Sequence, residues 1–139
     1  MKGIKYSLCL LALLCFTSVL HAQDDLYVGA ERFLAYKYAV EGKRVAVVSN
    51  QTSRVGKQHL VDFLLGEKVN IVKVFAPEHG FRGEAAAGEK VQSGKDAKTG
   101  LPIVSLYGSN KKPTPEQLTN VEVVLFDIQD VGARFYTYI

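Results

Sequence analysis

The sequence predicts an α/β fold, a Rossmann-like open and mainly parallel sheet with helices on both faces. Three observations indicate this class. From residue 29 onwards, short and mainly apolar runs alternate with segments of helical periodicity. Parallel strands are apolar throughout because helices cover both faces of their sheet. Polar residues and glycines follow most of the apolar runs, at the strand ends where open α/β sheets bind their ligands.

The first predicted helix covers residues 30–40 and ends at Gly42. Its apolar side chains Phe33, Leu34 and Tyr38 recur at helical spacing, so we expect them to form the buried face. Glycine is a common residue just after the last turn of a helix, which favours an end at this point.

Two further helices are expected. Residues 57–67 place Leu60, Phe63 and Leu64 on one helical face. Residues 114–118 predict a short helix, because a threonine in the capping position precedes a proline in the first helical position.

Four apolar runs predict the buried strands, and these are residues 45–48, 69–75, 102–107 and 121–128. Between the second and third runs, residues 85–100 are polar and contain glycine, which indicates a long excursion from the sheet. The last five residues, 135–139, have the pattern of the first turn of a helix after Gly132 rather than of a frayed terminus. We therefore expect residues 23–139 to be the truncated amino-terminal part of a longer Rossmann-like domain.

The first 22 residues predict a secretory signal peptide. Lys2 and Lys5 precede an apolar stretch over residues 6–20, and Ala22 supplies a small residue for cleavage. The stretch is shorter than the roughly 20 apolar residues of a membrane-spanning helix. We therefore expect an exported protein, periplasmic or secreted, with no stable membrane insertion after cleavage.

The positions of the cysteines and the net charge argue against a lipoprotein and against a nucleic-acid-binding protein. Cys9 and Cys15 both lie in the predicted peptide, and a leucine rather than a small residue precedes each, which argues against lipidation. Without Lys2 and Lys5, 15 basic residues face 14 acidic ones, a net charge of +1. The chain therefore lacks the basic footprint of a nucleic-acid-binding protein.

The segment FAPEHGFRGE, residues 75–84, directly follows the second strand run. Glycoside hydrolysis needs a carboxylic acid to protonate the leaving oxygen and a second group to attack or to activate water. Glu78 suits the acid role and Glu84 the second role, with Phe75 and Phe81 as apolar surroundings. The alternatives are structural: Glu78 as a turn carboxylate, and Glu84 as a helix cap or a partner of Arg82.

Other polar residues at strand ends are candidates for binding a glycan. Asn50 and Gln129 offer amide groups for sugar hydroxyls. Asp127, Asp130 and Arg134 could form a polar network after the fourth strand, or Arg134 could bind a substrate carboxylate.

Tyr136 offers a stacking surface for a sugar ring, although aromatic residues beside strands more often belong to the core.

A nucleotide-binding site and a metal site have less support in the sequence than a pair of catalytic carboxylates. The loop after residue 48 lacks the early glycines of a dinucleotide site. Gly56 and Lys57 do not complete a phosphate-binding loop, because no glycine stands five positions before Gly56 and Gln58 replaces the required serine or threonine. Glu78, His79 and Asp127 could in principle bind a metal, but their spacing matches no common ligand motif. His59 opens the second predicted helix, and we interpret it as a surface residue.

Four blocks of sequence together resemble the exo-β-N-acetylmuramidases of the NamZ (YbbC) type, a family long known only as a domain of unknown function. They occur in the family's order and span nearly all of residues 23–139. The blocks are VAVVSNQT at 45–52, FAPEHGFRG at 75–83, VSLYG at 104–108 and FDIQDVGARFYTY at 126–138.

This resemblance implies a glycoside hydrolase that removes N-acetylmuramic acid from the non-reducing ends of peptidoglycan fragments during cell-wall turnover. It implies a Rossmann-like catalytic domain and a smaller carboxy-terminal domain, which is absent from this chain. We expect no cofactor. By position, it makes Glu78 and Glu84 the catalytic residues. The substrate-binding residues would be Asn50, His79, Arg82, Asp127, Gln129, Asp130, Arg134 and Tyr136.

Two other functions stay open on the residues alone, a non-catalytic glycan-binding lobe and a metal-dependent hydrolase. The stereochemical course is also open. A retaining, an inverting or a substrate-assisted mechanism would each use the two glutamates differently.

Overall fold

A computed structural model of the chain describes residues 26–77, 80–83 and 93–129. The predicted signal peptide, residues 1–22, lies outside these ranges. Among the helices that are described, none combines the length and the hydrophobicity that crossing a bilayer requires.

The described strands are β1 (Val45–Ser49), β2 (Arg54–Val55), β3 (Gln58–His59), β4 (Ile71–Ala76), β5 (Gly94–Lys95), β6 (Pro102–Ser105) and β7 (Val123–Asp127). Five of them form one sheet in the order β5-β6-β4-β1-β7, and a separate hairpin pairs β2 with β3. Every neighbouring pair in the sheet is parallel except β5 with β6, so the predicted α/β class with a mainly parallel sheet is confirmed.

Strand β1 is an inner strand of the sheet, and all five of its residues are buried. It pairs with β4 on one side and with β7 on the other, and Ser49 lies opposite Asp127 at the end of this register. On the next pair outwards, Ala76 at the end of β4 lies opposite Ser105 at the end of β6. The carboxyl ends of the four parallel strands therefore meet along one edge, as the fold class requires.

Both described helices, α1 (Phe33–Val40) and α2 (Leu60–Gly66), contribute to the larger of two apolar clusters. From the sheet, that cluster takes side chains such as Val47 and Val74. Side chains of alternate residues point to the other face, where Ala46, Val48, Phe75 and Leu106 form the second cluster. Helices on that second face stay a prediction, since both described helices lie on the first.

The buried face of α1 differs from the predicted one. Phe33 and Val40 are buried, whereas Leu34 is 87% exposed and Tyr38 is 80% exposed. Phe33 meets the rings of Tyr36 and Phe63 edge-on, with centroids 5.3 Å and 5.6 Å away. The aromatic contacts orient the helix along Phe33, Tyr36 and Val40, an i, i+3, i+7 face, and this turns the other two apolar side chains outwards.

The second predicted helix is shorter than expected, and the structure has turns in place of the third. The hairpin takes Gln58 and His59 as β3, so α2 starts only at residue 60. At the predicted third helix, the Thr114 hydroxyl accepts from the backbone amide of Gln117 at 3.3 Å. The side-chain oxygen of Gln117 accepts in turn from the backbone amide of Thr114 at 2.9 Å. This is the expected cap, but residues 115–120 form turns that end at Asn120, whose φ is +63°.

Phe33→Ala should lower the free energy of unfolding by about 3–5 kcal/mol, because it leaves a cavity between Tyr36 and Phe63. Leu34→Ala is the matched control, since the two residues are neighbours on one helix; it should change stability by less than about 0.5 kcal/mol. Urea denaturation followed by circular dichroism measures both values. Equal losses for the two variants would contradict the assigned face.

Candidate functional site

The loop after β1 is closed by its own side chains. The carbonyl oxygen of the Asn50 side chain accepts from the amide of Thr52 at 2.9 Å and from the Thr52 hydroxyl at 2.6 Å. The backbone amide of Asn50 donates to the hydroxyl oxygen of Ser53 at 3.1 Å. Because the loop occupies the oxygen, the Asn50 side chain presents its amide nitrogen as the group for a ligand.

Ser53 joins this loop to the end of β7, because its hydroxyl donates a hydrogen bond to the main-chain oxygen of Asp127. The Asp127 carboxyl is half-buried, and this burial raises its pKa. Gln129, two residues further on, is exposed. Asp127 is thus placed at the carboxyl edge of the sheet in a setting that favours its protonated form more than water does.

A small cavity of about 190 Å³ adjoins Asp127. Burial, and secondarily the charge of Asp127, raises the pKa of the Tyr36 hydroxyl, which donates to the main-chain oxygen of Ala30 at 3.0 Å. The lining is largely apolar and consists of Gly29, Ala30, Tyr36, Leu60, Leu125, Phe126 and Asp127.

His59 lies between the loops that follow β1 and β4, so its interpretation as a surface residue was wrong. Its ring is half-buried and caps α2, with Nδ1 accepting from the backbone amide of Val61 at 3.2 Å. Nε2 lies 3.0 Å from the main-chain oxygens of both Asn50 and Phe81. Since carbonyl oxygens only accept, Nε2 carries the proton, and the neutral ring connects α2 to the loops after β1 and β4.

Arg82 is held between two carboxylates. Its Nε and one terminal nitrogen donate to Asp96 at 2.7 Å and 2.8 Å, and its terminal nitrogens donate to Asp62 at 2.9 Å and 3.2 Å. Lys98 adds an ion pair to Asp62 at 2.7 Å. The guanidinium lies 4.5 Å above the ring of Phe81. We call Arg82, Asp62, Asp96 and Lys98 the ion cluster.

The pKa values of the ion cluster follow from these contacts. The hydrogen bonds that Arg82 donates hold the pKa values of Asp62 and Asp96 below their usual range. The same bonds, to Asp96 first and then to Asp62, raise the pKa of Arg82. Asp96 also accepts from the amide of Thr99 at 2.9 Å and from its hydroxyl at 2.5 Å. The charges of Arg82, Asp62 and Asp96 are therefore present at neutral pH, and Arg82 is bound by protein groups on both sides.

Glycine allows the loops after β1 and β4 to touch. Gly80 and Gly83 have φ values of +72° and +74°. A side chain at position 83 would place its Cβ 2.9 Å from the Cβ of Gln51, closer than such atoms approach in proteins. The amide of Gly80 donates to the main-chain oxygen of Pro77 at 3.1 Å.

Four of the predicted site residues lie in the described ranges. Asn50 and Asp127 share one hydrogen-bonded region through Ser53, Arg82 belongs to the ion cluster, and Gln129 is exposed at the end of the sheet. The other six lie outside the described residues, and their roles stay predictions: Glu78, His79, Glu84, Asp130, Arg134 and Tyr136. Within residues 26–77, 80–83 and 93–129, no group of three or more His, Cys, Asp or Glu side chains is arranged to hold a metal.

Ser53, His59, Asp62 and Asp96 contribute to the site region but were not among the predicted residues. His59 had one usable signal, its position just before an apolar helical run, where a side chain able to accept a hydrogen bond caps the helix. Asp62 and Asp96 had none, because they are 20 and 14 residues away from Arg82 in the sequence.

Comparison with known proteins gives consistent matches. The family model described as "Exo-beta-N-acetylmuramidase NamZ, N-terminal" matches residues 45–139. Over 106 residues the chain is 49% identical to the peptidoglycan beta-N-acetylmuramidase NamZ of Bacillus subtilis (strain 168), a match that covers 75% of this chain and 26% of that protein.

Two crystal structures of DUF1343 family proteins from Bacteroides fragilis NCTC 9343 are also similar. The first has a TM-score of 0.67 and 43% identity, and covers 83% of this chain and 29% of its own. The second has a TM-score of 0.67 and 40% identity, and the match covers 79% of this chain and 28% of that protein. The chain thus spans less than a third of the length of each of these relatives.

Arg82→Gln should destabilise the protein by about 3–5 kcal/mol, because it leaves two poorly exposed carboxylates without their shared partner. Arg32→Gln makes the same change at an exposed position and should alter stability by less than about 0.5 kcal/mol. Urea denaturation at neutral pH measures both. A small loss for Arg82→Gln would mean that the ion cluster does not hold these loops together.

His59 should make stability depend on pH. Burial lowers the pKa of its ring, so the unfolded chain binds a proton at a higher pH than the folded one. As pH falls below the unfolded value of about 6.5, this residue therefore favours unfolding. His59→Asn keeps a capping oxygen and does not titrate, so its free energy of unfolding should fall less between about pH 7.5 and pH 5.5. Parallel pH profiles for the two proteins would refute the assignment.

Proposed function

Since the chain belongs to the NamZ family of exo-β-N-acetylmuramidases, whose amino-terminal model it matches over residues 45–139, we propose that the protein is a glycoside hydrolase of peptidoglycan. Its substrate is a fragment with N-acetylmuramic acid at the non-reducing end, and the products are that sugar and the shortened glycan. The relative named peptidoglycan beta-N-acetylmuramidase supports this substrate class through 49% identity over 75% of the chain.

The observation that carries the proposal is the convergence of loops at the carboxyl edge of the sheet. Ser53 connects the loop after β1 to β7, and His59 connects it to the loop after β4. Ligands of open α/β folds bind at this edge. A half-buried carboxyl, that of Asp127, is already in place there.

In the proposed reaction, Glu78 is the general acid. It donates its proton to the glycosidic oxygen as the bond between this oxygen and the anomeric carbon breaks. Water then supplies the hydroxyl of the new anomeric centre, and its proton returns to a carboxylate. Glu84 is the second carboxylate, which attacks the anomeric carbon, activates the water, or orients the 2-acetamido group of the sugar for attack.

The described residues support binding more than bond breaking. The amide nitrogen of Asn50 can donate to a sugar oxygen, and Asp127 can accept from a sugar hydroxyl when ionised or donate when protonated. Arg82 is already bound by Asp62 and Asp96, so we assign its contribution to the position of the loop that follows Glu78 and His79.

The amino-terminal residues support a location for this activity. Residues 1–22 have the layout of a secretory signal peptide, and we propose that the protein is exported to the periplasm or secreted. Peptidoglycan fragments are present in these compartments, so substrate and enzyme would meet there.

Glu78→Gln should reduce the release of N-acetylmuramic acid by the intact protein at least 100-fold, because the amide cannot donate the proton. The assay incubates a disaccharide of N-acetylmuramic acid linked to N-acetylglucosamine and quantifies the free sugars. Glu67→Gln, at an exposed position just after α2, is the matched control and should retain activity.

Residual activity within tenfold of the unsubstituted protein would remove Glu78 from the acid role. Binding of the disaccharide without any release of sugar by the unsubstituted protein would instead favour a non-catalytic glycan-binding lobe. Loss of release on addition of a chelator would favour a metal-dependent hydrolase.

A further inference from the structure

A second and larger pocket lies beside the loops after β1 and β4. It has a volume of about 640 Å³. Its wall comes from the β2–β3 hairpin, from α2 and from the turn at residues 96–99. The lining includes the cations Arg54, Lys57, Arg82 and Lys98, with one carboxylate, Asp62.

The charges in this pocket do not balance. Asp62 and Asp96 together neutralise Arg82 and Lys98 within the ion cluster. Arg54 and Lys57 are exposed on the hairpin, and within the described part of the chain no carboxylate forms an ion pair with either. An acid that contacts the hairpin, Glu31, accepts from the Gly56 amide at 3.3 Å and does not line the pocket. The pocket therefore presents two cations without an ion pair among the described residues, above a neutral floor.

The hairpin holds one of these cations in place. A terminal nitrogen of Arg54 donates to the main-chain oxygen of Lys57 at 2.9 Å, across the turn that Gly56 makes with a φ of +56°. In the register of the hairpin, Arg54 lies opposite His59. The ring of His59 is hydrogen-bonded to the loops after β1 and β4. Four N–H groups of the guanidinium remain for a ligand, since Arg carries five.

Neutral amide groups complete the lining. Gln51 and Gln58 both border the pocket, and Gln51 also touches Gly83 in the loop after β4. Paired cations beside amides suit a carboxylate on a molecule that also carries hydroxyl or amide groups, because guanidinium binds carboxylate through two parallel hydrogen bonds.

We propose that Arg54 and Lys57 bind a carboxylate of the glycan substrate and so make the protein selective for acidic sugars. This inference rests on the proposed function and names the group by which the substrate is recognised. In a peptidoglycan fragment the carboxylate comes either from the lactyl ether of N-acetylmuramic acid or from the peptide joined to it. A neutral N-acetylglucosamine unit has neither.

The test compares cleavage of three β-N-acetylmuraminides by the intact protein: one with a free lactyl carboxylate, its methyl ester, and one with a stem peptide on the lactyl group. Lys57→Gln should reduce the preference for acid over ester, as a ratio of kcat/KM, about tenfold, the effect of one lost charge-assisted hydrogen bond. Lys57→Gln leaves the Arg54 contact intact, because that contact is to the main chain. Arg54→Gln/Lys57→Gln should reduce the ratio further.

Lys43→Gln is the matched control, an exposed cation before the amino end of β1, and should leave the ratio unchanged. An effect confined to the free lactyl substrate identifies the lactyl carboxylate, and one confined to the peptide substrate identifies the stem. Equal loss on acid and ester, or no loss on either acidic substrate, would overturn the proposal.

A binding measurement separates this proposal from the proposed function. Isothermal titration of the intact protein with N-acetylmuramic acid and with N-acetylglucosamine requires no turnover. Tighter binding of the acid that weakens in Lys57→Gln supports a carboxylate site even if no muraminide is cleaved. Equal binding of the two sugars, together with normal cleavage, would reject the carboxylate site and leave the hydrolase intact.

Discussion

The guanidinium of Arg82 is the contact on which the site region depends. It joins three segments that are separate in the sequence: the loop after β4, helix α2 and the turn before β6. The side chains of Arg82, Asp62 and Asp96 are 17%, 9% and 4% exposed, so their charges are largely removed from water. Such a cluster is stable only when every member is paired, and the bidentate geometry of arginine meets both carboxylates at once. The loop carrying FAPEHGFRGE is thereby fixed on its carboxy-terminal side.

The sheet was predictable because its signal is local. The apolar run at residues 45–48 is typical of a strand that is buried on both faces of a parallel sheet, and the structure buries all five residues of β1. The helix face was not predictable in the same way. Phe33, Leu34 and Tyr38 satisfy helical spacing as well as Phe33, Tyr36 and Val40 do, and the choice between the two sets depends on Phe63, thirty positions away, meeting the ring of Phe33. Periodicity identifies a helix but leaves its rotation to tertiary contacts.

In the candidate site, too, some residues could be predicted from their position in the sequence, whereas others depend on tertiary contacts. Asn50 and Asp127 could be found because they follow apolar runs, and strand ends are where this fold binds ligands. Ser53, which connects them, has no signature of its own. Arg82 was expected in the cleft lining, and no sequence pattern indicates that Asp62 and Asp96 already bind it. Sequence position identifies which residues reach the site edge, whereas the structure identifies which of them still have hydrogen-bonding capacity for a ligand.

That distinction explains why the ion cluster and the hairpin cations have different roles although they share one pocket. A cation that already has two carboxylate partners gains little from a third anion, since its hydrogen bonds are occupied and its charge is neutralised. Lys57 and Arg54 have no such compensation among the described residues, and the same cluster that neutralises Arg82 also holds the pocket floor rigid beneath them. A fixed neutral base with two cations above it lowers the cost of ordering side chains around an anion. Selectivity for an acidic sugar then follows from where the carboxylates Asp62 and Asp96 lie, as much as from where the cations lie.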